Sequence, residues 1–308
     1  MNRKQHLMNL PDIPRDAFTE STSKDQSTCV LIPLFFDDAL CTKDDLEAYV
    51  KSAAWQLLSW ERFSDIQEYC IYVALENSEM LTKMLISHNV PERLIRYMPD
   101  VPALRYCKKL RYAMDETLSA YEYLVVCDAD TFVIGQLENR LPLFRNLAKH
   151  KPKGILGKYG SHDFAAPGFH NYSSLHPHVR NEIEQVVPLR VVDKYSRAGH
   201  THRFVSATCT IVNLKEVLAD QAWWEKAINT ITDDELLLSV WSAIRKKERI
   251  SDISPYCCIE NYSWRVFDAY IGQFKLPADF TPFLFHPTNS IESLFYKFLT
   301  NDRTNDGK

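Results

Sequence analysis

The chain reads as an α/β protein built on a mostly parallel sheet flanked by helices. Three observations predict this. Short apolar segments rich in β-branched residues alternate with segments of helical periodicity. One of them, Tyr123 to Cys127, runs directly into Asp128-Ala129-Asp130, placing two carboxylates where open α/β sheets bind their ligands. The composition, 45% hydrophobic and 12% aromatic over 308 residues, can fill a sizeable core.

Residues 1–27 are polar, contain Pro11 and Pro14, and read as a flexible tail. CVLIPLF (29–35) is a first strand. Thr42-Lys43-Asp44-Asp45 is a helix start of the capping-box kind. The helix after it carries Leu46, Tyr49, Val50, Ala53, Leu57 and Leu58 at helical spacing. CIYVAL (70–75) is a second strand, residues 78–88 are helical, and 94–98 is a third strand. Leu104, Cys107, Leu110, Met114 and Leu118 line one helical face ahead of the D-A-D strand.

Residues 150–203 break the alternation. They hold seven of the ten His and five of the eight Gly, including His176-Pro177-His178 and His200-Thr201-His202. A long segment of this kind inside a domain suits a binding region or lid. H-x-H can ligate zinc, but no nearby Cys or carboxylate completes a standard set. Beyond it lie a strand at 204–214, a helix over 215–229 and another over 233–248. The chain returns through 250–256 and 283–286, then a helical 290–300 segment. The organisation expected is one domain over 28–300, in two halves (28–149 and 150–300), with a tail (301–308).

The net charge of −4 and the scattered basic residues give no nucleic-acid footprint. No stretch approaches the apolar length of a membrane span, and no secretory leader is visible, so a cytoplasmic protein is expected. The eight Cys show no C-x-x-C spacing, and those in apolar runs suit buried thiols. No G-x-G-x-x-G or P-loop occurs, which argues against dinucleotide enzymes and kinases.

Two hard oxygen ligands one residue apart suit Mn²⁺ or Mg²⁺ shared with a substrate phosphate. The same pair also suits a turn in which Asp satisfies its own backbone. His286 follows an apolar Phe-Leu-Phe run, as a core histidine or a third ligand would. Asp234 and Glu235 open a helix after Thr232, which serves capping as well as catalysis.

A strand ending in D-A-D about 100 residues into an α/β domain resembles the metal site of nucleotide-sugar glycosyltransferases of the GT-A fold. Lys109-Leu110 resembles the K-L pair ahead of that strand in glycogenin-like enzymes. FVSATCTIVNL (204–214) resembles their F-N-A/S-G-x-x-x-x-N-L strand, with Val205 at the aromatic position and Thr208 in place of Gly. TDDELL (232–237) resembles the D-Q-x-x-L helix start, with Asp234 or Glu235 in place of Gln. Phe285-His286-Pro287 lies where the family carries a H-F/Y-x-G histidine, although TNSIESL follows it here rather than G-x-x-K-P-W. Order and spacing agree over roughly 29–295, and the group most similar is glycosyltransferase family eight.

That resemblance implies a GT-A fold and hexose transfer from a nucleoside-diphosphate sugar, UDP-linked, to a carbohydrate hydroxyl with retention. It implies a metal on Asp128, Asp130 and His286, donor contacts from Lys109 and Asp128-Ala129-Asp130, and a catalytic or positioning role for Asp234 and Glu235. Two other readings stay open. One is an inactive GT-A-like module that binds sugar or nucleotide. The other is an aspartate-dependent phosphatase, against which the late position of D-A-D-T-F argues, because phosphatases place the motif on their first strand.

Overall fold

The structure is a computed structural model that describes residues 3–18, 27–34, 42–73, 78–97, 118–159, 177–187, 205–231, 237–238, 240–241, 250–253, 255–263 and 279–288. Its strands are β1 (Thr28–Leu34), β2 (Glu68–Val73), β3 (Ile95–Tyr97), β4 (Tyr123–Cys127), β5 (Phe132–Ile134), β6 (Ile155–Tyr159), β7 (Val205–Asn213), β8 (Ile250–Asp252), β9 (Ile259–Ser263) and β10 (Phe283–Thr288). Its helices are α1 (Arg3–Met8), α2 (Lys43–Phe63), α3 (Ser78–Ser87), α4 (Leu143–His150), α5 (Pro177–Val186), α6 (Leu214–Leu218) and α7 (Gln221–Ile228).

Seven strands form a central sheet in the order β3-β2-β1-β4-β7-β6-β8. The β3-β2, β2-β1, β1-β4 and β6-β8 pairs are parallel, while β7 runs antiparallel to β4 and β6. The mostly parallel, helix-flanked sheet expected from the sequence is therefore present. Every residue of β1 and β4 is buried, as befits central strands covered on both faces. Pro33 is tolerated because β4 pairs with β1 only from Thr28 to Leu31, so a missing N–H near the strand end breaks no ladder on that side.

Helix α2 shows why this stretch is helical. Thr42 adopts an extended conformation (φ −77°, ψ 163°) and its hydroxyl accepts from the Asp45 amide at 3.2 Å. The Asp45 carboxylate accepts from the Thr42 amide at 3.0 Å, closing the expected capping box. The helix stops at Ser64, whose hydroxyl donates to the Trp60 carbonyl at 2.6 Å. Leu46, Val50, Ala53, Ala54, Leu57 and Trp60 pack into the main core with Val30, Ile32, Val125 and Ile211 of the sheet.

A second, three-stranded sheet, β5-β10-β9, stands beside the first. β10 is antiparallel to β5, with Phe285 opposite Phe132, and parallel to β9, with His286 opposite Asn261. Alternation splits its faces. Val133 and Leu284 join the main core. Phe132, Ile134, Phe283 and Phe285 form a smaller core with Leu7, Leu10, Ala48 and Phe280. Gly135 lies where β5 meets the end of α2; a Cβ there would stand 3.1 Å from the Phe63 Cβ and 3.2 Å from its carbonyl oxygen.

That smaller core corrects the reading of residues 1–27 as a flexible tail. Residues 3–18 are folded onto α2 and the second sheet. Leu7, Leu10 and Ile13 are at most 3% exposed. The Trp55 indole donates to the Pro11 carbonyl at 2.7 Å, and the Asn89 amide donates to the Ile13 carbonyl at 2.6 Å. The Leu7, Leu10, Ile13 spacing is three residues per step, a short apolar stripe hidden among polar neighbours.

Of the region 151–203, residues 151–159 and 177–187 are described, and both contain regular elements. They hold β6, which joins the central sheet, and α5. The helix expected over 215–229 is two helices, because Asp220 interrupts it. The Asp220 carbonyl accepts from the Trp224 amide at 3.1 Å, starting α7, and its carboxylate accepts from the Trp241 indole at 3.1 Å. Trp224 is buried between Trp223 and Trp241, and the partly buried Trp223 donates its indole N–H to the Val186 carbonyl at 2.9 Å. Among the described residues, no helix is long and apolar enough to cross a membrane.

Candidate active site

The order β3-β2-β1-β4 places a switch point between β1 and β4: the chain adds β2 and β3 on one side of β1, then β4 on the other. Crevices at such points, outside the carboxyl ends of the strands, are where open α/β sheets bind ligands. Asp128-Ala129-Asp130 follows directly on the carboxyl end of β4. The same residues connect the two sheets, since β5 begins at Phe132.

The connection is a tight turn. The Thr131 amide donates to the Asp128 carbonyl at 3.1 Å, closing residues 128–131. The turn is tied to the central sheet by Thr208 of β7, whose carbonyl accepts from the Asp128 amide at 3.0 Å and faces the Thr131 hydroxyl at 3.3 Å. Beyond the turn, the Val133 amide donates to the Ser59 hydroxyl of α2 at 3.0 Å. The turn is thus held on one side by β7 and on the other by α2.

Asp130 is 1% exposed. A carboxylate removed from water to this degree requires compensating partners. One is His286 on β10, whose Nε2 lies 3.6 Å from Asp130 Oδ1. That separation is beyond a hydrogen bond and within ion-pair range when the imidazole is protonated. β10 brings His286 to this place through its pairing with β5, because Phe285 sits opposite Phe132 and His286 is the next residue toward the turn. Asp128 is half-buried, and Ala129 is partly buried against the main core.

Beside the turn, Cys127 and Cys209 face one another across the β4–β7 pair with their sulfurs 3.3 Å apart. Contact with Cys127, then burial, then the nearby Asp128 charge hold the Cys209 thiol well above its ordinary value. Both are fully buried free thiols, as the sequence reading of apolar-run cysteines expects.

Of the residues singled out by sequence, the fold therefore brings Asp128, Ala129, Asp130 and His286 to one end of the central sheet. Lys109, Asp234 and Glu235 lie outside the described residues. Among the described residues, no three His, Cys, Asp or Glu side chains gather into a complete metal-holding group. The donor types still suit a hard divalent ion: carboxylate oxygens with one imidazole nitrogen match Mn²⁺, and Mg²⁺ through the oxygens. Sequence reasoning did not find Thr131 or Ser59, and met Thr208 only as a departure from a motif glycine. Ser59 carried no distinguishing signal, because Ser52 and Gln56 are buried polar residues on the same side of the helix.

No protein-family model matches the chain, and no curated protein matches it. Among solved structures, the chain is similar to the mannosyltransferase Ktr4p from S. cerevisiae, at 12% identity and a TM-score of 0.44, over 83% of this chain and 78% of that one.

Proposed function

We propose that this chain is a metal-dependent glycosyltransferase that moves a hexose from a nucleoside-diphosphate sugar, UDP-linked, to a carbohydrate hydroxyl. One observation supports the reading: Asp130 and His286, which the family resemblance names together as ligands, lie 3.6 Å apart beside the switch point of the sheet. In this reading Asp128, Asp130 and His286 hold Mn²⁺ or Mg²⁺ with positions left open for the donor. The ion, when bound, offsets charge developing on the departing diphosphate.

The chain's own residues do the rest. Asp128 and Asp130 fix the diphosphate end of the donor relative to the sheet. Lys109 adds a positive charge for the same diphosphate. Asp234 or Glu235 orients the acceptor, or in an inverting enzyme takes its proton. Residues 150–203 receive the acceptor. The family resemblance favours retention of anomeric configuration. The second reading, an inactive module that binds the same ligands, shares the site but not the turnover.

The test is a panel of nucleotide sugars assayed for hydrolysis and transfer with Mn²⁺, with EDTA, and with Asp130→Asn. Turnover that needs the metal and falls at least a hundredfold in Asp130→Asn supports the proposal. Full turnover in EDTA or in Asp130→Asn overturns the metal site. Binding of a nucleotide sugar without turnover selects the inactive module. NMR of the first-formed product decides between retention and inversion.

A further inference from the structure

We propose that Thr131 is a positioning residue for the two carboxylates, acting through the Thr208 carbonyl; the inference rests on the metal reading of the site. Thr131 is the fourth residue of the turn that presents Asp128 and Asp130, and it is fully buried. Its amide closes the turn on the Asp128 carbonyl at 3.1 Å. Its hydroxyl points to the Thr208 carbonyl at 3.3 Å, the same oxygen that accepts from the Asp128 amide at 3.0 Å. One carbonyl on β7 therefore receives both ends of the turn, and the separation between the ends is fixed by a single atom.

The arrangement gives Thr131 a job that its own solvation does not require. A buried hydroxyl needs one partner. Here the partner is the oxygen that also sets the first residue of the carboxylate pair. The β4–β7 pairing reaches Asp128 through its amide and goes no further, and β5 belongs to the other sheet, so no ladder runs through residues 129–131. The hydroxyl supplies a tie that the ladder does not. At 3.3 Å it is longer than an ideal O–H···O bond, so its contribution lies in limiting the turn's alternatives more than in bond strength. Groups that hold ligating carboxylates from behind typically change metal affinity by about 10- to 100-fold when lost.

The experiment compares wild type, Thr131→Val, Thr131→Ser and Asp130→Asn, with Mn²⁺ alone as the probe. Binding is read from the loss of the free Mn²⁺ EPR signal, and melting temperature is measured without metal. We expect Thr131→Val to weaken Mn²⁺ binding about tenfold while melting within a few degrees of wild type. We expect Thr131→Ser, which keeps the hydroxyl, to bind within about twofold of wild type. Wild-type affinity in Thr131→Val, with Asp130→Asn abolishing binding, overturns the positioning role and leaves the metal site standing. Equal Mn²⁺ binding by wild type and Asp130→Asn, or none by either, removes the metal site and this inference with it. Should Thr131→Val not fold, Thr131→Ala replaces it. A loss of binding shared by Thr131→Ser would mark packing rather than the hydroxyl, and would also overturn the proposal.

Discussion

Asp130, on the turn after β4, and His286, on β10, face one another at 3.6 Å although they enter from different sheets. If His286 is a ligand, its loss weakens the ion rather than the fold. In His286→Ala the Mn²⁺ concentration giving half-maximal turnover should rise tenfold or more. A Mn²⁺ titration of donor hydrolysis checks this, and an unchanged requirement removes His286 from the ligand set.

Ser59 ties β5 to α2 through one hydrogen bond of 3.0 Å from the Val133 amide. The amide is buried, so Ser59→Ala leaves a donor without its acceptor. The expected cost is about 1–3 kcal/mol. Urea unfolding should show a lower midpoint with an unchanged slope.

The N-terminal segment should behave as core. Leu7 is 1% exposed and packs with Phe132, Ile134, Phe283 and Phe285, the hydrophobic backing of both strands that carry the site. Leu7→Ala should destabilise by about 2–5 kcal/mol. A change of less than about 0.5 kcal/mol, typical of an exposed tail, would contradict the packing.

Tyr123 opens β4 at the end of the strand away from the site, and its hydroxyl donates to the Pro152 carbonyl at 3.2 Å. Burial, then the neighbouring Glu122, push its ionisation from 10 up to about 12. The folded state therefore holds this proton more tightly than the unfolded state does. The stabilisation is complete below pH 10 and is lost as pH rises toward 12. Stability measured from pH 9 to 12 should fall in wild type and fall less in Tyr123→Phe. Parallel curves would show that Tyr123 does not titrate in this window.

The parts of the fold legible in the sequence were those with a strong local signal. The capping box at Thr42 and Asp45 marked the start of α2 within a residue. The apolar run at 123–127 became β4, where burial on both faces leaves no polar interruption, and the run at 204–214 became β7 although Ser206, Thr208 and Thr210 punctuate it. The direction of β7 was not legible, since the residue pattern of a strand does not record whether its neighbours run parallel or antiparallel to it. The second sheet was missed because β5 has three residues, too few to show a period. The break at Asp220 was missed because no Gly or Pro marks it, and the Trp241 indole that donates to its carboxylate lies 21 residues downstream. At the site, the carboxylates and His286 were legible as residue types. The ties that orient them were not, because a backbone carbonyl such as that of Thr208 carries no side-chain signature.

The turn at 128–131 joins two sheets, and this has a consequence for how the chain acquires its site. β4 is complete once β1 and β7 flank it, but Asp130 meets His286 only after β10 has docked along β5. The two residues are separated by roughly half of the chain. Closing so long a loop is entropically slow and comes after local helices and neighbouring strands have formed. An emerging chain therefore carries its carboxylates for about half of its synthesis without the imidazole, and under the proposed metal reading competence would appear in one late step. In refolding experiments, recovery of metal binding should trail recovery of helical signal, and the lag would time the arrival of the last strand.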